Sequence, residues 1–295
     1  MARMKQLVIV SGKGGTGKTT VAGAFLKLSG AKAYADCDVD APNLHLIIHH
    51  PVEPARMDYY GMPKAVINPE VCTACGRCAQ NCRFHAILPD EGKYRVDPYA
   101  CEGCGVCTAV CCVGAVGLRP SVSGFLQLYS DSLGVFSTAQ LKTGAGATGL
   151  LVTQVKRLMR GNVKPGTTFA VADGSPGIGC PVIASLNGAD LALIVTEPSL
   201  SGLSDLARIV KTAETLRVQT AVCVNKYDID PGITEKIRSF CDANELPFVG
   251  CIPFDPEAVA AVNAGETIVE RDCPSGTAVR EVFQNTMRLL ETALV

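Results

Sequence analysis

The stretch that decides the fold is Ser11-Gly12-Lys13-Gly14-Gly15-Thr16-Gly17-Lys18-Thr19-Thr20. The apolar run 7–10 precedes it, and a run with helical character, 21–28, follows it. A strand, a glycine-rich turn and a helix in this order are the context that a phosphate-binding loop requires. The glycines let backbone N–H groups close around phosphate oxygens, and the helix N-terminus adds partial positive charge.

The side chains of this loop have specific expected contacts. Lys18 is expected to reach the β- and γ-phosphates of a nucleotide, and the Thr19 hydroxyl to ligate Mg²⁺. The remaining nucleotide contacts are expected from Gly12, Gly14, Gly15, Thr16, Gly17 and Thr20. ATP or ADP and Mg²⁺ are therefore the predicted ligands. The alternative is a glycine-rich turn that binds nothing.

A lysine directly after Ser11-Gly12 is not required of an ordinary phosphate-binding loop. Lys13 at this position resembles the deviant P-loop of the MinD/ParA family, which includes the nitrogenase iron protein. In that family this lysine reaches across a dimer interface to the partner's nucleotide. The resemblance implies a catalytic role for Lys13 and for Lys18, and an ATP-dependent dimer with a second copy or a related ATPase. A solvated loop lysine is the alternative for Lys13.

Two acidic segments, 36–43 and 173–177, each follow a predicted buried strand. They resemble switches I and II of the same family, with Ser175 in place of the first proline of Asp-x-Pro-Pro-Gly. The resemblance implies Mg²⁺ ligation by Asp36 and Asp173, and it implies that the attacking water is positioned by Asp38. Ordinary solvated turns at strand ends are the alternative.

Strands alternate with helices along most of the chain, which predicts an α/β fold with a doubly wound, mostly parallel sheet. Asn225 ends one strand and resembles the adenine-contacting asparagine of the family. The loop after the last strand contains Pro253 and is expected to flank the base. The C-terminal helix, 275–294, has balanced charges, which favours packing on the sheet over binding to a membrane.

Eight of the 15 cysteines form two runs of identical spacing, Cys-x₂-Cys-x₂-Cys-x₃-Cys, which begin 29 residues apart (101 − 72). This is the spacing of bacterial two-cluster ferredoxins, in which the fourth cysteine of each run ligates the other cluster. Two [4Fe–4S] clusters are therefore expected. Cluster I is assigned to Cys72, Cys75, Cys78 and Cys111, and cluster II to Cys101, Cys104, Cys107 and Cys82.

Zinc is the alternative for these cysteines, although zinc sites generally use four ligands in two pairs rather than two runs of four. The ferredoxin pattern has proline after each fourth cysteine, whereas this sequence has Arg83 and Cys112. Cys180 lies seven residues after Asp173, at the offset of a cluster-ligating cysteine in the nitrogenase iron protein. A small buried thiol is the default interpretation of Cys180.

These patterns predict an ATPase domain in 1–62 and 119–295, interrupted by an inserted ferredoxin-like α+β module at 63–118. The Pro-rich stretch 51–63 is interpreted as a linker, and the histidines at 45, 49 and 50 are expected on a helix surface. The 27 basic and 28 acidic residues give a formal net charge of −1, which argues against a dedicated nucleic-acid binder. No apolar span of 18 residues or signal-like N-terminus is evident, so a cytoplasmic location is expected.

The chain as a whole resembles MinD-superfamily ATPases with an inserted ferredoxin domain. The resemblance implies ATP hydrolysis coupled to electron transfer, as in the nitrogenase iron protein, or to metal-cluster assembly and delivery, as in the Mrp family. The expected partner is a redox protein or a metal-cluster protein. A positioning ATPase of the MinD/ParA type, whose clusters are structural or sensory, is the alternative.

Overall fold

The computed structural model describes residues 3–146 and 148–292. These residues divide into two compact units. The first unit contains 3–55, 127–139 and 148–292, and the second contains 56–126 and 140–146. The second unit therefore extends beyond the predicted insert at 63–118 in both directions. The boundaries of a separately folding ferredoxin-like domain stay a prediction.

The elements alternate along the chain much as the sequence predicts. The strands are β1 (Lys5–Ser11), β2 (Ala33–Asp36), β3 (Ala55–Tyr60), β4 (Lys64–Ile67), β5 (Ile87–Asp90), β6 (Lys93–Val96), β7 (Val116–Arg119), β8 (Val122–Ser130), β9 (Val135–Leu141), β10 (Phe169–Pro176), β11 (Leu191–Thr196), β12 (Gln219–Asn225) and β13 (Phe248–Ile252). The helices are α1 (Lys18–Ser29), α2 (Arg77–Gln80), α3 (Val106–Val110), α4 (Thr148–Asn162), α5 (Cys180–Leu186), α6 (Leu200–Thr215), α7 (Pro231–Ala243), α8 (Glu257–Asn263) and α9 (Pro274–Thr292).

The first unit is built on a parallel sheet with the strand order β13-β12-β11-β1-β10-β2-β9. All six neighbouring pairs in this order run parallel. The strands at its centre are continuous apolar runs, as expected for a parallel sheet that is buried on both faces. Residues 7–10 of β1 and 192–195 of β11, for example, have no exposed surface. The predicted α/β fold with a mostly parallel sheet is confirmed.

Helices cover this sheet and fix its core. Leu7 and Ile9 of β1 belong to the same buried cluster as Phe25 of α1 and Val279 of α9. The Phe25 ring meets the Phe283 ring of α9 edge to face, with 5.1 Å between the ring centroids. Aromatic pairs favour this geometry. The C-terminal helix therefore packs on the sheet, as its balanced charge predicts.

The carboxyl ends of the parallel strands lie along one edge of the sheet, where ligands bind in open α/β folds. β1 ends at Ser11 and leads into the glycine-rich loop, and β2 ends at Asp36. Asp173 of β10 pairs with Ile9 of β1 on one side and with Asp36 of β2 on the other. The sheet register thus brings together the loop and both acidic segments.

The second unit contains a structural repeat of 29 residues. It contains the antiparallel strand pairs β4 with β7 and β5 with β6. Adding 29 to the bounds of β4 gives those of β6, and adding 29 to β5 gives β7. The cross-connections repeat as well, since Asn68 N–H donates to the Ala115 carbonyl at 2.8 Å and Asp97 N–H to the Ala86 carbonyl at 2.7 Å. The repeat therefore covers the backbone as well as the cysteines.

Two expectations from the sequence are wrong. The stretch 51–63, interpreted as a linker, contains the strand β3. His50, expected on a helix surface, is buried: its ring nitrogens lie 2.7 Å from the Tyr34 hydroxyl and 2.7 Å from an Asp131 carboxylate oxygen. Its ring also stacks on Phe136, with centroids 5.5 Å apart.

Within the described ranges, no helix has the length and apolar character needed to cross a membrane.

Candidate functional site

The glycine-rich loop places Lys18 at the first position of α1, where only 6% of the residue is exposed. Gly17 precedes the helix in a left-handed conformation, with φ of 88°. A Cβ atom at Gly17 would lie 2.2 Å from Asn225 Nδ2. The backbone conformation and the close approach of Asn225 both favour glycine at this position.

The Asp173 carboxylate contacts both Lys18 and Thr19, the side chains predicted to bind phosphate and Mg²⁺. Lys18 Nζ lies 2.6 Å from Asp173 Oδ1, and the Thr19 hydroxyl donates to Asp173 Oδ2, also at 2.6 Å. Burial disfavours the charge of Lys18, but the Asp173 carboxylate outweighs this effect and raises the pKa of Lys18. The ammonium therefore remains charged and next to the predicted Mg²⁺ site.

The Asp36 side chain fixes the backbone of the first acidic segment through hydrogen bonds. This side chain is fully buried and accepts three backbone hydrogen bonds at 3.0 Å, from Asp38, Asn43 and Leu44. Burial, and after it the nearby Asp173 carboxylate, raise the pKa of Asp36 to about 7. Two buried carboxyl groups thus lie beside the one ammonium of Lys18. A divalent cation bound here would stabilise the ionised form of both carboxyl groups.

Two adjoining cavities follow the loop, and three residues line both: Gly15, Gly17 and Thr20. The first is a polar cavity lined by the loop together with Asp38, Asn43 and Pro176. The hydroxyl of Thr16, another lining residue, is buried without a hydrogen-bond partner in the described part of the chain. The second cavity is largely apolar and is lined by Pro253, Phe254 and Val259 among others. A polar lining beside an apolar one suits phosphates next to an apolar base.

Asn225 lines the apolar cavity and contacts the glycine-rich loop. Its side-chain amide donates to the Thr16 carbonyl at 2.7 Å, and Lys226 Nζ donates to the Gly15 carbonyl at 2.9 Å. The last residue of β12 and the residue after it thereby hold the glycine-rich loop in place. Asn225 and Pro253 both line the apolar cavity, and their predicted contact with adenine stays a prediction.

Lys13 has a partner within its own chain that sequence reasoning missed. Its ammonium lies 2.5 Å from a carboxylate oxygen of Glu197 and 3.4 Å from the Ser199 hydroxyl. Glu197 directly follows β11, which neighbours β1 in the sheet. The position of Glu197 directly after a buried strand is the sequence signal for this contact. The predicted action of Lys13 in a partner subunit stays a prediction.

Eight of the nine cysteines in the described part of the second unit, all except Cys112, meet in two sets of four. Cavity I is lined by Cys72, Cys75, Cys78 and Cys111, and cavity II by Cys82, Cys101, Cys104 and Cys107. These are the two sets into which the spacing divides them. The atom-free space in the cavities is similar, about 320 Å³ in cavity I and about 360 Å³ in cavity II.

Backbone N–H groups point at several of these sulfurs in a repeated pattern. Ala86 donates to Cys82 at 3.4 Å, and Ala115 donates to Cys111 at 3.2 Å. At Cys75 a backbone hydrogen bond from Arg77 is the largest influence, and it lowers the pKa of the thiol. Donors to sulfur favour the thiolate, the form that ligates metals.

Among residues 3–146 and 148–292, no three His, Cys, Asp or Glu side chains converge closely enough to hold a single metal ion. The cysteines of a [4Fe–4S] cluster have a different task, because each binds a separate iron at a corner of the cube. Cys180 is exposed at the first position of α5, beside Gly149, and Cys112 is exposed next to Cys111. The default interpretation of Cys180 as a buried thiol is wrong.

Comparison with known proteins bears on the first unit and its loop. Residues 7–268 match the model of the CobQ/CobB/MinD/ParA nucleotide binding domain. The chain belongs to this family. An uncharacterised protein of Methanocaldococcus jannaschii is 31% identical over 225 residues, covering 75% of this chain and 78% of that protein. The septum site-determining protein MinD of Neisseria meningitidis is 23% identical, covering 97% of this chain and 90% of MinD.

Solved structures give the same fold. MinD of Pyrococcus horikoshii, complexed with Mg-ADP, has a TM-score of 0.57 at 17% identity and covers 99% of both chains. MinD of Pyrococcus furiosus has a TM-score of 0.56 at 19% identity and covers 98% of this chain. The expected membership of the MinD/ParA family is confirmed. Of the expected functions, these relatives are closer to the positioning alternative than to electron transfer or cluster delivery, and none of them bears on iron–sulfur clusters.

Proposed function

We propose that this chain is an ATP-hydrolysing member of the family whose second unit carries two [4Fe–4S] clusters. ATP turnover in a dimer would be coupled to electron transfer, or to assembly and delivery of metal clusters, with a redox or metal-cluster protein as partner. One observation carries the proposal. A nucleotide loop and two four-cysteine cavities related by a 29-residue repeat occur in the same chain.

The nucleotide half of the proposal follows from the loop geometry. Backbone N–H groups of the glycine-rich loop would hold the phosphates. Lys18 would then contact a phosphate oxygen and Thr19 would ligate Mg²⁺, in place of the Asp173 oxygens that they contact without nucleotide. Bound Mg²⁺ supplies neutralisation of the charge that develops on the phosphates. Asp38, which lines the polar cavity, orients the attacking water in line with the bond that breaks.

The chemistry of the second unit fits iron–sulfur clusters. Eight thiols line two small cavities of similar size, and N–H groups point at sulfurs at equivalent positions of the repeat. Cluster I would be held by the cysteines of cavity I and cluster II by those of cavity II. Such clusters, when bound, store and pass single electrons at potentials set by neighbouring charges and hydrogen bonds.

A positioning ATPase is the second candidate, and the MinD relatives favour it. In that case the clusters would be structural or sensory, and their electronic state would not respond to nucleotide. Response of the clusters to nucleotide therefore separates the two candidates.

The test is electron paramagnetic resonance of the anaerobically purified, dithionite-reduced full-length protein, with and without Mg-ATP. The proposal expects two interacting [4Fe–4S] signals that change when Mg-ATP is added. The Lys18→Ala variant, which lacks the phosphate-binding ammonium, should retain both signals but lose the response; exposed Lys236→Ala is the matched control. Signals indifferent to nucleotide in the wild type would favour the positioning candidate.

A further inference from the structure

The two cavities of the second unit have matching backbones but different charges. Arg77 lines cavity I, and the residue 29 positions later, Val106, lines cavity II. Glu102 lines cavity II, and its counterpart 29 positions earlier, Thr73, lines cavity I. Among the described residues that line the two cavities, the charged ones are thus the exposed Arg77 in cavity I and the exposed Glu102 in cavity II.

Two further lysines lie at equivalent positions of the repeat, one at each cavity, so they do not contribute to the charge difference between the cavities. Lys64 Nζ donates to the carbonyl of Cys101, and Lys93 Nζ donates to the carbonyl of Cys72, both at 2.5 Å. These lysines are also 29 residues apart. Each cavity therefore has one such ammonium at its first cysteine, and the difference made by Arg77 and Glu102 remains.

The uncharged lining residues differ in the same direction. Tyr94 lines cavity I, with its hydroxyl close to Gly76, whereas Ala65 takes the equivalent place in cavity II. Phe84 and Leu118 add apolar surface to cavity II. Added negative charge is less favourable in apolar surroundings than in polar ones.

One contact acts in the opposite direction. The backbone N–H of Ala65 donates to Cys101 Sγ at 3.4 Å, and this donor belongs to cavity II. It is a neutral dipole at the long end of hydrogen-bond range, whereas Arg77 and Glu102 carry whole charges. The field of a whole charge falls off more slowly with distance than that of a dipole, so we take the two charges as the larger influence.

We infer that cluster I has a higher reduction potential than cluster II, so that the first electron taken up by the second unit resides on cluster I. The inference rests on the proposed function, since it requires that both clusters bind. One-electron reduction adds one negative charge to a cluster without breaking a bond. The Arg77 guanidinium stabilises that charge beside cavity I, and the Glu102 carboxylate opposes it beside cavity II.

The test is a potentiometric titration of the anaerobic full-length protein with dithionite and redox mediators, followed by electron paramagnetic resonance. Two variants exchange a charged residue for its repeat counterpart: Arg77→Val and Glu102→Thr. Arg95→Val is the matched control, because Arg95 is exposed on β6, does not line either cavity and has Val66 as its counterpart.

The wild type should be reduced in two steps. Arg77→Val should lower the potential of the first step. The ratio of protein reduced at cluster I to protein reduced at cluster II should fall a few-fold, as expected for the loss of one exposed charge. Glu102→Thr should raise the potential of the second step, and Arg95→Val should change neither. If Arg77→Val instead shifts the second step, or neither variant shifts a step while iron and sulfide are complete, the inference is overturned and the proposed function stands. If the wild type contains no iron, both fall.

Discussion

The Ser175 hydroxyl donates a hydrogen bond to the carbonyl of Cys37 at 2.5 Å, which ties the second acidic segment to the first. Cys37 lies between Asp36 and Asp38, and Ser175 lies two residues after Asp173. The backbone N–H of Ser175 also donates to the Ser185 hydroxyl of α5, at 3.1 Å. Proline, the residue that the family motif has at this position, can make neither bond.

Replacing Ser175 should therefore separate the two segments. Ser175→Ala loses the bond to Cys37, and Ser175→Pro loses that bond and the one to Ser185. We expect the free energy of unfolding to fall by about 1 kcal/mol for alanine and about 1–3 kcal/mol for proline, because buried hydrogen-bonding groups are left unpaired. Urea denaturation of the nucleotide-free protein measures this. Exposed Ser204→Ala is the control, and equal stability of Ser175→Ala and wild type would refute the role of the bond.

Lys13 provides a test of the proposed dimer. Mixing inactive Lys13→Ala and Lys18→Ala chains lets a mixed dimer combine an intact Lys18 site with Lys13 from the other subunit. Random pairing makes half of the dimers mixed, each with one competent site of two, so roughly a quarter of wild-type ATPase activity should return. If Lys13 acts only within its own chain, the mixture stays inactive.

The lysine of α4 predicts a specific pH dependence of stability. Lys156 is buried and donates to the carbonyls of Ala184, Ser185 and Asn187 at the end of α5. Burial lowers the pKa of Lys156 from 10.5 to about 8. Between these two values the unfolded chain binds more protons than the folded one, so this lysine makes the free energy of unfolding rise with pH.

Lys156→Met should remove this rise. The stability of wild type relative to the variant should increase from pH 8 to pH 10.5, by at most about 3 kcal/mol. Denaturant titrations across this range measure it, with exposed Lys236→Met as the control that keeps the wild-type slope. Identical slopes for wild type and Lys156→Met would contradict the assignment.

Two glycines of the loop should respond differently to a methyl group. Gly17→Ala places a side chain at a positive φ and against Asn225, so we expect a loss of about 1–3 kcal/mol in the free energy of unfolding. Gly14→Ala is the matched control, because no atom lies within 4 Å of an added Cβ there. Thermal unfolding without nucleotide distinguishes them. Similar losses at both glycines would show that the strain at Gly17 is unimportant.

The sequence predicts those parts of the fold and the site that depend on the spacing of residues close together in the chain. The glycine-rich loop and the two cysteine runs are contiguous patterns, and sheet topology then places the residues that follow strands along one edge. The division of the cysteines between the two cavities follows from their repeat. The repeat of the strands cannot be read from the sequence as the repeat of the cysteines can. A paired strand requires side chains that pack well but no particular residue, so equivalent strands differ in sequence.

The features that the sequence did not predict depend on partners distant in the chain. A ring nitrogen of His50 contacts the carboxylate of Asp131, 81 residues away. The Lys13 ammonium forms an ion pair with Glu197, which lies in the loop after β11. Nothing in the local pattern separates a buried histidine from an exposed one. Pro51 and Pro63 suggested a linker, yet they flank β3 instead of interrupting it.

We propose that eight cysteines of this nucleotide-binding chain hold two [4Fe–4S] clusters. The most direct measurement is the iron, acid-labile sulfide and zinc content of the anaerobically purified full-length protein. We expect about eight iron and about eight sulfide per chain. Part of the iron should be lost when Cys78 or Cys107 is replaced by serine, and the iron content should be unchanged in Cys251→Ser. A protein without iron and sulfide, or one loaded with zinc, would contradict the proposal.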